Sequence, residues 1–120
     1  MTNQSQTAHY QEFDALHHLH PFTSHKSLRA GAARVIVRGD GPYLWDSEGK
    51  RILDGMSGLW TANVGHSRKE LAEAAYEQML KLPFYNTFFR TTHPPVVELS
   101  RKLAEIAPDN LNQVFYGSSG

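Results

Sequence analysis

The amino-acid sequence predicts an α+β arrangement: a three-stranded antiparallel meander followed by helices and a last strand. Three observations predict it. Short β-rich runs between residues 34 and 54 are separated by Gly/Asp/Pro turns. Two later stretches carry a helical apolar period, each close to proline. Between them lie aromatic or glycine-rich segments with neither period.

In chain order, residues 1–9 (MTNQSQTAH) are polar and read as a mobile tail. Tyr10, Phe13, Leu16 and Leu19 recur three apart, which predicts a short helix with one apolar edge, stopped by Pro21. Val35-Ile36-Val37, Tyr43-Leu44-Trp45 and Arg51-Ile52-Leu53 are the three strands. Gly39-Asp40-Gly41-Pro42 and Asp46-Ser47-Glu48-Gly49-Lys50 are the turns between them. DGMSGLWTANVG, from Asp54 to Gly65, has three glycines and no period, so it reads as a folded loop with a bulky group embedded.

Ser67-Arg68-Lys69-Glu70 has the S-x-x-E pattern of a capping box. On the helix that follows, Leu71, Ala74, Ala75, Gln78, Met79 and Leu82 share one side. Lys69, Glu70, Glu73, Glu77 and Lys81 lie opposite, and Pro83 ends it. The aromatic loop Phe84-Tyr85-Asn86-Thr87-Phe88-Phe89 comes next. Thr92-His93-Pro94-Pro95 opens a second helix with the apolar stripe Val96, Leu99, Leu103, Ile106 and Ala107, closed by Pro108 and Asn110. Gln113-Val114-Phe115-Tyr116 reads as a strand entering a Gly/Ser turn, Gly117-Ser118-Ser119-Gly120. Such a strand and turn ordinarily lead into a covering helix, so the 120 residues are expected to be a portion of a longer polypeptide.

Twelve basic residues balance twelve acidic ones, so no general field draws a polyanion, which argues against nucleic acid or an acidic membrane as the main partner. The absence of cysteine removes thiolate chemistry and Cys-based zinc sites. No apolar run approaches a membrane span and the start lacks a signal-peptide core, so the expected setting is soluble and cytoplasmic.

Several residues could carry chemistry. The terminal FYGSSG places Ser118 and Ser119 hydroxyls and N–H groups near Gly120 where a phosphate could sit, or it is simply a flexible turn. Trp60, beside Leu59, either plugs a core or walls a pocket. The bulky groups of Phe84–Phe89 cannot all bury locally, so some meet another domain, subunit or ligand. His17, His18, His20 and His25 fit no tight zinc spacing, and no metal is expected there. His66 either orients a catalytic group or bonds the loop backbone, and Asp54 is a turn acceptor or a functional carboxylate. No Ser/His/Asp triad can be assembled with any specificity.

The string GPYLWDSEGKRILDGMSGLWTANVGHSRKEL resembles the N-terminal signature of class III aminotransferases, closest to the omega-amino acid or amine:pyruvate type. The carrying residues are Asp54-Gly55-Met56-Ser57-Gly58-Leu59-Trp60 and Asn63-Val64-Gly65-His66. His20-Pro21-Phe22 and the final FYGSSG stand in the same register. The resemblance implies an α/β, type I pyridoxal-5'-phosphate fold and a homodimer with active sites at the subunit interface. It places Ser119 and Gly120, with Ser118, in the cup for the cofactor phosphate. It puts Leu59 and Trp60 in the substrate-pocket wall with Phe22 beside them. Phe88 reaches the neighbouring subunit's pocket, with Tyr85 and Phe89 in company.

The implied organisation is a tail and short helix at 1–33, a small antiparallel lobe at 34–58, and at 59–120 pocket loops, helices and the start of a large cofactor domain. The implied reaction moves an amino group from an amine or omega-amino acid to pyruvate or a similar keto acid. Lys26, Lys50, Lys69, Lys81 and Lys102 lie in a tail, a turn or on solvated faces, so none is assignable as the Schiff-base lysine. The 120 residues alone are expected to be inactive. Two rival readings are another class III enzyme, a decarboxylase or aminomutase, and a small partner-binding module that grips through its aromatic loops.

Overall fold

The computed structural model describes residues 3–117, whose contacts gather into two units that divide between Ala74 and Ala75. In the first unit the predicted meander is present. Strands β1 (Ile36–Asp40), β2 (Tyr43–Asp46) and β3 (Arg51–Leu53) form one antiparallel sheet in the order β1-β2-β3. The first turn is tighter than the sequence suggests, because Gly39 and Asp40 stay in β1 and only Gly41-Pro42 turns. Asp40 then pairs with Tyr43, and Arg38 with Trp45. The register slips between Ile36 and Arg38, a bulge at Val37. Cross-strand neighbours share a face: the Arg38 guanidinium lies 3.7 Å from the Trp45 ring centre, and that of Arg51 4.6 Å from Tyr43.

The second turn is organised by Asp46, whose side chain is buried at 5% exposure. Its Oδ1 accepts from the N–H groups of Glu48 at 3.1 Å and Lys50 at 2.8 Å. An aspartate at the head of a turn thereby replaces ladder bonds that the turn cannot make.

The expected mobile tail is instead helical. Helix α1 spans Asn3–His17 and covers most of residues 1–9. The sequence offers no apolar face there, so the polarity suggested a tail. What holds the helix is polar: Thr7 Oγ1 donates to Ser47 Oγ at 2.7 Å, and Gln11 Nε2 donates to the Ala33 carbonyl at 2.8 Å. Tyr10, Phe13 and Leu16 do lie on α1, but Leu19 falls beyond its end. A second helix, α2 (His25–Gly31), has no counterpart in the sequence reading, although Ser24 caps it by accepting from Ser27 N–H.

Past β3, Ser57–Trp60 forms a single turn, α3, and helix α4 (Lys69–Lys81) follows. The capping box does not form. Ser67 has φ +57 and its hydroxyl donates to the Gly39 carbonyl at 2.6 Å, while Glu70 pairs with Arg68 rather than turning back. The carbonyl that opens the helix is that of Arg68. Helix α5 (Pro94–Ile106) begins at its two prolines as expected, with His93 at the N-cap. Residues 113–116 carry no strand. Among the described residues no neighbouring strand offers them a ladder, and Tyr116 instead meets Ser100 through their hydroxyls at 3.0 Å.

The apolar stripe of α4 is exposed and that of α5 half-covered, and among the described residues no apolar side chain is buried. None of the described helices is long and apolar enough to cross a membrane.

Asp46→Ala should destabilise the sheet by about 2 kcal/mol through two lost charged hydrogen bonds, and Asp46→Asn by less, since an acceptor remains. Hydrogen exchange at the Lys50 amide checks this. It should accelerate strongly in the alanine variant and only slightly in the asparagine one.

Candidate functional site

The site grows from the end of β3. Asp54 is fixed there because its N–H donates to the Pro42 carbonyl at 2.9 Å. Its Oδ2 accepts from Gly58 N–H at 2.9 Å and from His66 Nε2 at 2.8 Å. His66 is held in turn by a two-bond main-chain bridge to Gly41, with His66 N–H to Gly41 carbonyl at 2.9 Å and the reverse bond at 3.2 Å. One carboxylate oxygen thus ties the sheet, the α3 turn and the returning loop into a clasp. In this clasp Asp54 acts as an acceptor, while His66 meets Asp54 through its ring and Gly41 through its main chain.

The return of the loop requires close backbone approach. A Cβ on Gly39 would stand 2.7 Å from the His66 side chain, and one on Gly65, at φ +85, would stand 3.2 Å from Gly41. Only glycine admits both.

The clasp encloses an unusual turn. Ser57, Gly58, Leu59 and Trp60 all have positive φ, at +50, +59, +64 and +64, and ψ is 31 at Gly58 and 58 at Leu59. This is a left-handed helical turn. It costs roughly 1–2 kcal/mol at each of its three non-glycine residues. The turn persists because its backbone groups are satisfied: Thr61 and Ala62 N–H both donate to the Ser57 carbonyl at 2.8 Å, and Trp60 N–H donates to Met56 at 3.0 Å. Strain over-determined by its surroundings is characteristic of binding sites. Beneath the turn, Pro42, Asp54, Ser57 and Ala62–His66 line a cavity of about 300 Å³.

The turn holds Leu59 and Trp60 outward, 54% and 78% exposed. Trp60 therefore does not plug the described part of the fold. Phe22, also at positive φ, is fully exposed. In the second unit Tyr85, Phe88 and Phe89 are exposed on a loop shaped by Asn86, whose Oδ1 accepts from Phe88 N–H at 2.9 Å. The Phe88 and Phe89 rings lie edge-on, with centres 6.2 Å apart. Ser118, Ser119 and Gly120 lie outside the described residues. All five lysines are exposed, and Lys69 is paired with Glu73 at 3.3 Å.

The hydrogen bond from His66 holds the Asp54 carboxyl below the ordinary carboxylate range, helped by the Gly58 N–H, the His66 charge and the Met56 N–H; partial desolvation opposes them. A carboxyl depressed in the folded state contributes stability above its unfolded pKa and loses it as pH falls through the folded value. The clasp should therefore survive mild acid and open only below the usual carboxylate range. Protection of the Gly58 amide, followed from neutral to acidic pH, should hold through pH 5 and collapse well below it.

The family described as Aminotransferase class-III matches residues 26–120. A putrescine–pyruvate aminotransferase of Pseudomonas aeruginosa is 52% identical over all of this chain, which spans 27% of that relative. An (S)-enantioselective omega-transaminase from Thermomicrobium roseum superposes with TM-score 0.80 at 51% identity, over 84% of this chain and 23% of its own. A transaminase from the marine bacterium Virgibacillus gives 0.88 at 44% identity, over 93% and 26%. The chain thus spans about a quarter of the length of the proteins it matches.

Proposed function

As the chain belongs to the class III aminotransferases, we propose that it is the N-terminal portion of a pyridoxal-phosphate-dependent omega-transaminase. The whole enzyme moves an amino group from an amine or omega-amino acid to pyruvate or a similar keto acid. The observation that carries this reading is the clasped left-handed turn, which holds a Trp and a Leu outward on a rigid frame. A flat apolar side chain fixed in this way suits the wall of a pocket for an amine's carbon skeleton. In this reading residues 34–58 are a small antiparallel lobe and 59–120 lead into the large cofactor domain. Leu59, Trp60 and Phe22 line the amine pocket. Phe88, with Tyr85 and Phe89, reaches the pocket of a second subunit in a cytoplasmic homodimer, which would cover the apolar surface the loop leaves open.

When bound, pyridoxal phosphate supplies the electron sink for amino-group transfer. Ser118, Ser119 and Gly120 are assigned to its phosphate cup. All five lysines are exposed, whereas covalent attachment needs a lysine enclosed with the cofactor. The attachment point is therefore assigned outside these residues, and no step through it is derived. What this part contributes is orientation: Trp60 limits the size of the amine substituent, and the Asp54–His66 clasp keeps Trp60 in place.

Two measurements on the intact protein test the proposal. A primary amine with pyruvate should yield alanine in a cofactor-dependent reaction; release of carbon dioxide without alanine, or no turnover, would refute it. Trp60→Ala should raise the ratio of kcat/KM for a bulky over a small amine about tenfold, with the cofactor retained. An unchanged ratio removes Trp60 from the pocket.

A further inference from the structure

The end of helix α1 carries a feature that the transaminase reading does not use. Asp14, His18 and His20 each present one ligand atom, and the three atoms lie within 4.8 Å of one another. The arrangement follows from the chain path. His18 follows Asp14 by four positions, just past the helix end at His17, and its Nδ1 stands 2.9 Å from Asp14 Oδ1. The chain then leaves the helix and brings His20 back, its Nε2 at 2.9 and 2.8 Å from the two carboxylate oxygens. The His18 and His20 rings are 4.2 Å apart. Asp14 has no Lys or Arg ion-pair partner among the described residues; both of its partners are imidazoles.

We propose that Asp14, His18 and His20 form a binding site for a borderline divalent transition-metal ion of the zinc type. The donor set is two imidazole nitrogens and one carboxylate oxygen, which suits zinc, cobalt, nickel or copper and not calcium or magnesium. Bonds of about 2.0–2.2 Å to a tetrahedral ion put neighbouring ligand atoms roughly 3.3 Å apart. The contacts of the two imidazoles with Asp14 Oδ1, both 2.9 Å, would widen by about half an ångström, and the two ring nitrogens, within 4.8 Å of each other, would settle to the same spacing. In the present contacts the imidazoles direct N–H groups at the carboxylate. Metal binding displaces those protons, which pass to the opposite ring nitrogen of a neutral imidazole or to water from an imidazolium, and Nδ1 of His18 and Nε2 of His20 become the donors. His18 is 60% exposed while Asp14 and His20 are each 22% exposed, so the ion would sit at an open edge with water completing its shell. Sequence spacing alone could not show this, because the histidines converge through a carboxylate on the helix.

The test is zinc titration of the untagged intact protein by competition with a chromophoric chelator, which reads metal binding independently of transaminase activity. One equivalent should bind, and Asp14→Asn and His20→Ala should each weaken binding about tenfold or more. His20→Gln retains a polar contact to Asp14 but ligates poorly, so it should lose affinity while its circular dichroism is unchanged. His9→Ala, elsewhere on α1, should bind as the parent does. Absence of zinc binding, parental affinity in the Asp14 or His20 variants, or an equal loss in His9→Ala overturns the proposal.

Discussion

The candidate site depends on one carboxylate oxygen, Oδ2 of Asp54. Its position is set by the meander, since Asp54 N–H bonds to Pro42 one residue past β3. That oxygen then gathers Gly58 N–H at the start of the left-handed turn and His66 Nε2 at the end of the returning loop. The turn is intrinsically uphill by a few kcal/mol, taking about 1–2 for each of Ser57, Leu59 and Trp60. The Gly58 N–H that meets the carboxylate lies inside that turn. The clasp and the turn therefore stand or fall together, and the direction of the Trp60 side chain goes with them.

The rest of the described chain shows what such a frame lacks. Leu71 and Met79 on α4 and Leu99 and Ile106 on α5 are exposed along stripes built for burial. Apolar area contributes about 25 cal/mol per Å² only once water is removed from it. Until another part of a protein covers these stripes, the helices rest on their own backbone bonds and on surface ion pairs such as Lys69–Glu73 and Arg101–Glu98, each worth under about 1 kcal/mol. The meander differs, since its stability is local: two turns, a buried Asp46 and two guanidinium–ring contacts.

This contrast explains what the sequence could reveal. The meander and the two amphipathic helices were legible because alternation, turn residues and the 3.6 period are local signals. The α1 helix was hidden because long-range polar bonds, Thr7 to Ser47 and Gln11 to Ala33, hold it where apolar patterning is absent. The capping box was a false signal, because Gly39 lies close enough to take the Ser67 hydroxyl. At the site, Trp60 and Leu59 were singled out by residue type. The positive φ that holds them outward was not legible, since Ser, Leu and Trp have no preference for it. The pairing of Asp54 with His66 joins residues twelve apart that were separately noticed, and only the fold brings them together.

If the chain works as proposed, the Asp54 clasp, and not Trp60 alone, determines how the amine pocket is walled. The most direct measurement is the amine selectivity of Asp54→Asn, Trp60→Ala and the double variant of the intact enzyme, each checked for retained cofactor. If the clasp acts through the turn, Asp54→Asn shifts selectivity toward bulky amines in the direction Trp60→Ala does, and adds little in its presence. Selectivity unchanged by Asp54→Asn, or effects that multiply independently in the double variant, would mean that the clasp does not act through the turn.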